Sequence, residues 1–197
     1  MQAARGAAVA AKSPAQRTVR ARTGLFAGIA VSVLVLDVVT KLVAVSQLAH
    51  RDRVTLVPHA LWLTFTRNAG AAFSVGTGAT VVFTAVAAGV VVVIVRTARS
   101  LRSAGWAVSL GLLLGGALGN LSDRVFRSPG VFRGHVIDWI ELPHWPVFNI
   151  ADSGIVIGGV LAVLLALRGI EMDGSHHRGE GSSAEPGPSD SAASADG

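Results

Sequence analysis

Four long apolar segments constrain the fold of this chain more than any other feature. They occupy residues 25–45, 79–95, 106–122 and 150–167, and each is close to the ~20 apolar residues that cross a ~30 Å hydrocarbon core. The two middle segments are the shorter ones, so we expect their helices to extend into the flanking residues. Only 15% of the residues are charged, whereas soluble domains carry about 25%. The sequence therefore predicts an all-α integral membrane protein with four transmembrane helices, in one domain over residues 24–168.

The positions of the basic residues predict the orientation of these helices. Lys and Arg precede the first segment, fill the link between the second and third, and follow the fourth: Arg5, Lys12, Arg17, Arg20, Arg22, Arg96, Arg99, Arg102, Arg168 and Arg178. By the positive-inside rule both termini are then cytoplasmic, and the loops 46–78 and 123–149 face outward. Six arginines in those outer loops weaken this bias without reversing it. The net charge of +5 is thus accounted for by the membrane, and we expect no nucleic-acid partner.

The two ends of the chain differ from the membrane domain in composition. Residues 1–23 form an Ala- and Arg-rich cytoplasmic arm, which we expect to be disordered through residue 22. Residues 169–197 are expected to form a disordered cytoplasmic tail, because Gly, Ser, Ala, Pro and acidic residues cannot bury a core. The first apolar segment is long for a cleaved signal peptide and contains Asp37 and Lys41, so a retained helix is the better interpretation.

The acidic residues of the membrane domain gather at one end of the predicted bundle. Half of the twelve acids lie in the tail. The others lie in outer loops or in the outer halves of the apolar segments: Asp37, Asp52, Asp123, Asp138, Glu141 and Asp152. A carboxylate at the edge of a membrane is costly to keep there, which favours a functional role. The chain has no cysteine, and its histidines lack ligand spacing, so we expect neither a metal nor another cofactor.

Asp138 and Asp152 are the strongest candidates for a catalytic pair. If Asn149 caps the fourth helix, Asp152 occupies the third helical position, where it could serve only as a capping acid. Asp138 lies within the apolar pentapeptide 136–140 and could equally be a surface charge on an interfacial turn. Two carboxyls that meet at one membrane surface, however, can share a proton and activate a water molecule. Together, the two residues favour catalysis.

Further polar residues converge on the same end of the bundle. Asp37 and Lys41 are four residues apart on the first helix, which predicts an intramembrane ion pair. Asn120 and Asp123 share one face of the third helix. With Arg124 they could alternatively form the C-terminal cap of that helix.

The outer loop 46–78 contains a second structural signal. Residues 61–66 alternate between two sets of side chains, which predicts a short strand on the membrane surface with residues 54–57 as its partner. Asn68, with Gly70 close behind, could form a turn. The third helix carries three glycines at four-residue spacing, on which another helix can pack closely: Gly111, Gly115 and Gly119.

These motifs together resemble the lipoprotein signal peptidases, the signal peptidase II family. They occur in the family's order: Asp37-Val-Val-Thr-Lys41, Asn68-Ala-Gly-Ala-Ala-Phe73, Gly115-Gly-Ala-Leu-Gly-Asn120-Leu-Ser-Asp123-Arg124, Val136-Ile-Asp138-Trp139 and Phe148-Asn149-Ile-Ala151-Asp152. The resemblance covers about residues 24–168. The basic arm and the acidic tail lie outside the family's pattern.

The resemblance implies an intramembrane aspartic endopeptidase of the bacterial plasma membrane. Such an enzyme removes the signal peptide from diacylglyceryl-modified prolipoproteins, its substrate partners in the membrane lipid, by cutting before the lipidated cysteine. It also implies an outer sheet and a surface helix, and it makes Asp138 and Asp152 the catalytic dyad. The implied polar surround, which positions the substrate, comprises Asp37, Lys41, Asn68, Gly70, Asn120, Asp123, Arg124, Asn149 and Ala151.

The two aspartates are expected to divide the chemistry between them. Asp152, at a helix N-terminus, would be the resting base, and Asp138, beside Trp139 and Ile140, would hold the shared proton. The signal peptide would lie between helices, along the glycine stripe. A small proton-coupled transporter or channel subunit is the main alternative, although transporter sites usually lie near the bilayer midplane. A noncatalytic membrane scaffold is a further one.

Overall fold

The computed structural model of the protein describes residues 14–70 and 78–175. It contains four long helices: α1 (Pro14–Leu48), α2 (Gly78–Thr97), α3 (Ala104–Phe126) and α4 (Ile150–Leu167). All four are long and apolar enough to cross a membrane, which confirms the predicted number of spans. The two middle helices extend into their flanks as expected, because a helix needs about 20 residues to span the hydrocarbon core.

The helix α1 begins earlier than the sequence analysis predicted. Its first residue is Pro14, whereas residues up to 22 were expected to be disordered. Proline is favoured at the start of a helix, where its missing N–H has no partner to lose. Ala, Arg and Gln, which dominate the following residues, have high helix propensity. Extending an existing helix also costs far less than nucleating a new one, so these residues continue the helix beyond its apolar segment.

The helix α3 lies at the centre of the bundle. Half of its apolar 18-residue stretch is buried inside the protein, against 22% or less of the corresponding stretch in each of the other three helices. Its glycine stripe packs on α1: a Cβ at Gly111 would lie 2.9 Å from the carbonyl oxygen of Phe26, and one at Gly115 would lie 2.6 Å from that of Ala30. The stripe is therefore filled by α1. It is not open to a signal peptide, and that expectation was wrong.

A three-stranded antiparallel sheet covers one end of the bundle. It consists of β1 (Val54–Val57), β2 (Leu61–Asn68) and β3 (Val136–Glu141), in the order β1-β2-β3. The first two strands were predicted. The third was not, because its residues do not alternate between apolar and polar side chains in the way that reveals a half-buried strand. Both of its faces are covered, so apolar residues occur on each.

The register of the sheet separates two sets of side chains. Thr66 pairs with Asp138 and Arg67 pairs with Ile137, so successive residues of each strand point to opposite faces. Ile137 packs in a cluster with Ala44 and Leu48 of α1, against which Leu63, Phe65 and Trp139 also pack. Asp138 therefore faces away from α1, toward the interior between the sheet and α4.

The chain just after α4 is ordered, whereas the sequence analysis predicted disorder from residue 169. The carbonyl oxygen of Met172 accepts backbone N–H bonds from Arg102 (2.9 Å) and Ser103 (3.0 Å). The indole Nε1 of Trp106 donates to the carbonyl oxygen of Ile170 at 2.7 Å. These bonds fasten residues 170–172 to the start of α3. The rest of the predicted tail, residues 176–197, lies outside the described residues, as does the segment 71–77.

Candidate active site

Asp152 is held at the start of α4 by a reciprocal pair of hydrogen bonds. The backbone N–H of Asp152 donates to Oδ1 of Asn149 at 2.9 Å, and the backbone N–H of Asn149 donates to Oδ2 of Asp152 at 3.2 Å. This is a capping box, in which two otherwise unpaired backbone donors are satisfied. The predicted cap is confirmed. It leaves Oδ1 of Asp152 for a further interaction.

Asp138 is buried in the middle of β3, with only 2% of its surface exposed. Its Oδ1 accepts a bond from Nδ2 of Asn149 at 2.6 Å, and its Oδ2 accepts one from Nδ2 of Asn68 at 2.9 Å. Burial raises the pKa of Asp138 to about 6, and the charge of Asp152 acts in the same direction, against both amide hydrogen bonds. The alternative of an exposed acid on a surface turn was wrong.

Two asparagine amides join the two aspartates. Asn149 donates to both carboxylates, through its side-chain Nδ2 to Asp138 and through its backbone N–H to Asp152. Nδ2 of Asn120 donates to the remaining oxygen of Asp152, Oδ1, at 2.7 Å. Nδ2 of Asn149 also lies 3.2 Å from Oδ1 of Asn120. Side chains from β3, α3 and α4 thus form one connected polar network in which both carboxylates are oriented by neutral donors.

A buried group of charges lies beside this network. Nζ of Lys41 contacts Asp37 at 2.7 Å, Asp123 at 2.9 Å and Oδ1 of Asn120 at 3.0 Å, and neither Lys41 nor Asp37 is exposed. The predicted ion pair is confirmed, but the lysine joins α1 to α3 as well. Oδ1 of Asp37 accepts the backbone N–H of Ala151 at 2.9 Å, which links α1 to the first turn of α4.

Asp123 is the member of this group that connects it to the sheet. Its Oδ2 accepts the backbone N–H of Ile137 at 3.2 Å, and its Oδ1 pairs with Nε of Arg127. Asp123 and Asn120 therefore bind partners on other elements, and they do not serve as the C-terminal cap of α3. The role of Arg127 as an ion-pair partner was missed. Its only signal in the sequence is the four-residue spacing from Asp123.

Asn68 forms a turn and donates a hydrogen bond to Asp138 at the same time. Its Oδ1 accepts the backbone N–H of Gly70 at 2.8 Å, which is an Asx turn. Gly70 has φ of 103°, a conformation that a side chain would strain. The turn therefore fixes Oδ1 of Asn68, and its Nδ2 is directed at Asp138.

Arg124 lies close enough to the polar network for its charge to interact with Asp138, Asp123 and Asp152. Its guanidinium carbon lies 5.8 Å from the ring centre of Phe83 on α2, and its Nη1 is buried with no hydrogen-bond partner among the described residues. With Asn120 it ends a groove of about 270 Å³ between α2, α3 and α4. The rest of the groove is apolar and is lined by Phe83, Val86, Ala87, Val90, Leu113, Ala117 and Ile155. It lies on a different face of α3 from the glycine stripe.

Comparisons with known proteins identify the family of this chain. The family model of signal peptidase (SPase) II matches residues 29–168. The chain belongs to the signal peptidase II family. Lipoprotein signal peptidases of Streptomyces coelicolor and Rhodococcus jostii are 47% and 50% identical to it, covering 84% and 83% of the chain and 81% and 82% of those proteins. One from Mycolicibacterium smegmatis is 50% identical over 92% of the chain and 77% of its own length.

The fold is also similar to solved structures. A bacterial membrane enzyme determined by the in meso method at 1.9 Å superposes with a TM-score of 0.66 and 32% identity, covering 74% of this chain and 94% of that one. A second, at 2.3 Å, gives a TM-score of 0.65. The four-helix architecture with a small sheet is therefore that of a known membrane enzyme.

Family membership decides between the classes of protein that the sequence left open. The chain is a multi-pass bacterial membrane protease of the signal peptidase II family. The alternative of a small transporter or channel subunit is not supported, since the matched family and the relatives are peptidases. The family's surface helix has no counterpart among the described residues of the outer loops, and residues 71–77 lie outside them.

Proposed function

We propose that this signal peptidase II family member is an aspartic endopeptidase that cleaves diacylglyceryl-modified prolipoproteins before the lipidated cysteine, with Asp138 and Asp152 as the catalytic dyad. The observation that carries the proposal is the asparagine network. Asn149 donates a hydrogen bond to one oxygen of each carboxylate, and the second oxygen accepts one from Asn68 in Asp138 and from Asn120 in Asp152. No other pair of acids in the described residues shares such a bridge.

The electrostatics of the pair support a division of roles. The raised pKa of Asp138, about 6, makes its protonated form easier to reach near neutral pH than that of an ordinary aspartate, and the N-terminus of α4 interacts favourably with a negative charge on Asp152. Asp152 then takes a proton from water, whose oxygen attacks the scissile carbonyl carbon. Asp138 donates its proton to the carbonyl oxygen. When the tetrahedral intermediate collapses, a proton from the dyad goes to the leaving amine. No metal or other cofactor takes part.

The remaining polar residues position this pair without reacting. Asp37 and Lys41 hold the first turn of α4 through Ala151, so they position Asp152. Asp123 holds β3 at Ile137, one residue before Asp138. Asn68, with the turn at Gly70, and Asn120 and Asn149 set the orientation of the carboxylates. Arg124 lies at the end of the groove, where it can contact the substrate backbone.

The groove between α2, α3 and α4 supports a route for the signal peptide. Its apolar walls suit a hydrophobic helix or extended segment, and its polar end at Asn120 directly adjoins Asp152. A lipidated cysteine keeps its acyl chains among the membrane lipids, so its peptide bond lies at the level of the dyad. The signal peptide thus occupies this groove, and the glycine stripe serves only to pack α1.

The charge pattern supports an orientation with the dyad at the outer face of the plasma membrane. The short link between α2 and α3 contains Arg96, Arg99 and Arg102 and no acid, which favours a cytoplasmic position. Both termini are then cytoplasmic. Residues 24–168 form the peptidase domain, with the arm and the tail outside it, and nucleic acid is not a partner.

Cleavage of a purified diacylglyceryl-prolipoprotein tests the proposal. Wild type, Asp138→Asn and Asp152→Asn are compared by mass spectrometry of the products, with Glu141→Gln as the control because Glu141 is an acid on the same strand that pairs with Arg53 at the surface. We expect wild type and the control to cut before the lipidated cysteine, and both dyad variants to be folded and inactive. Activity of either folded dyad variant within tenfold of wild type would contradict the dyad. An intact substrate with folded wild type would contradict the substrate class.

A further inference from the structure

A second cavity lies on the opposite side of the sheet from the dyad. It has a volume of about 350 Å³ and lies between the outer ends of α1 and α3, the sheet and the loop that follows α3. Arg67 and Ile137, which pair across β2 and β3, both line it. Asn68 and Asp138, the next residues along the two strands, face the other way. The sheet thus separates this cavity from the candidate active site.

The polar lining of the cavity is basic. It includes Arg67, Arg127 and His135, and it contains no acidic side chain. Arg127 is held through its inner nitrogen, Nε, by Asp123, which fixes the position of its guanidinium. Arg67 is exposed, and no carboxylate of the described residues lies within ion-pair distance of it. A guanidinium presents a planar fork of donors that matches a phosphate group.

The apolar lining places the cavity at the level of lipid headgroups. Val45 lies three residues before the end of α1 at Leu48, and Phe126 is the last residue of α3. Phe126 is 85% exposed and is the last residue of a helix long and apolar enough to cross a membrane. The ends of two spans therefore form the apolar side of the cavity, and the arginines lie on its polar side. A phospholipid offers this order of groups, with its acyl chains below and its phosphate above.

We propose that this cavity binds the phosphate diester of an anionic membrane phospholipid, held by Arg67 and Arg127 with its acyl chains along Val45 and Phe126. A free phosphate ion offers the same anionic chemistry but leaves the apolar wall unused. A diacylglyceryl-modified cysteine carries no phosphate, so this site is distinct from the one that receives the substrate.

Native mass spectrometry of the full chain in detergent tests this site. Phosphatidylglycerol is titrated against the protein, and diacylglycerol serves as the phosphate-free lipid. Inorganic phosphate is then added at about tenfold excess over the lipid as the competing ion, because about one decade in concentration reveals competition for a single site. We expect phosphatidylglycerol to be retained and diacylglycerol to be lost. Arg67→Gln should weaken phosphatidylglycerol binding about fivefold, the contribution of one arginine near an anionic lipid surface.

The matched control is Arg51→Gln, which removes an exposed arginine of the same outer loop that does not line the cavity. It should leave the affinity for phosphatidylglycerol unchanged, and both variants should keep the unfolding temperature of wild type. Equal losses in Arg67→Gln and Arg51→Gln would overturn the proposal in favour of diffuse surface charge. Retention of diacylglycerol as tight as that of phosphatidylglycerol would also overturn it. Displacement of the lipid by inorganic phosphate would identify a site for the free ion.

Discussion

The hydrogen bond from Asn68 to Asp138 should control the alkaline limb of the pH–activity profile. The amide Nδ2 donates to Oδ2 of Asp138 at 2.9 Å, and it lowers the pKa of that carboxyl by favouring the ionised form. In Asn68→Ala this stabilisation is lost, so the pKa of Asp138 rises further above 6. If Asp138 must be protonated to donate, activity persists to higher pH.

The size of the shift follows from the strength of the bond. A hydrogen bond to a charged group contributes about 1.5–3 kcal/mol, and one pKa unit corresponds to about 1.36 kcal/mol. Complete loss would therefore move the limb by about one to two units. Asn68 is only half-buried, so water can replace part of the bond, and we expect a shift of about one pH unit.

The assay is kcat/KM for a lipidated prolipoprotein peptide across the pH range, because this ratio reports the pKa values of the free enzyme. Asn68→Ser serves as a companion variant. A serine hydroxyl can still accept the N–H of Gly70 in a turn but is too short to reach Asp138. Both variants should shift the limb equally, and only Asn68→Ala should also lose stability. An unchanged limb in both, with reduced activity, would refute the reasoning and limit Asn68 to shaping the turn.

Three further predictions concern stability. The pKa of Asp138 rises from 3.8 to about 6 on folding, so its contribution to the free energy of unfolding is fully present below pH 3.8 and is lost as pH rises through 6. Over that range the unfolding free energy of wild type relative to Asp138→Asn should fall by about 3 kcal/mol. A difference between the two proteins that stays constant with pH in denaturation experiments would contradict this. Lys41→Met should cost about 3–5 kcal/mol by leaving buried acids unpaired. Arg53→Gln, which breaks a partly exposed ion pair with Glu141 and a cation–π contact with Trp62, should cost only about 1–2 kcal/mol. Equal thermal shifts of the two variants would refute the difference. Gly115→Ala should cost about 1–3 kcal/mol because its Cβ would lie 2.6 Å from a carbonyl oxygen of α1. Gly89→Ala, with open space around it, should be neutral or slightly stabilising. A lower unfolding temperature for Gly89→Ala than for Gly115→Ala would contradict the packing of α3 on α1.

Features that depend on neighbours along the chain were predictable from the sequence. The apolar segments identify the four helices, because a ~30 Å hydrocarbon core requires a continuous run of about 20 apolar residues. The cap at Asn149 with Asp152 three residues later, and the pair Asp37–Lys41 four residues apart, follow from the geometry of a single helix. The family resemblance of the motifs supplied the rest of the candidate site.

The strand β3 and the start of the tail were not predictable in the same way. Asp138 lies among apolar residues, and nothing local indicates that they pair with β2. The strand exists because Arg67 and Asn68, about 70 residues earlier, present a free sheet edge to it. Likewise, residues 170–172 are ordered because the start of α3 offers them backbone and indole donors, which a composition argument cannot detect.

The sequence by itself determined which segments cross the membrane, that Asn149 caps the fourth helix, and which residue types are available for chemistry at one end. Those properties depend on hydropathy and on spacings within single helices. Only the tertiary structure decided how they are used. It directed the glycine stripe against α1 and left a different face of α3 lining the groove. It placed Lys41 between acids of two helices, and it brought Asp138 and Asp152 to the same asparagine. Close packing of distant segments sets these relations, and no local pattern records them.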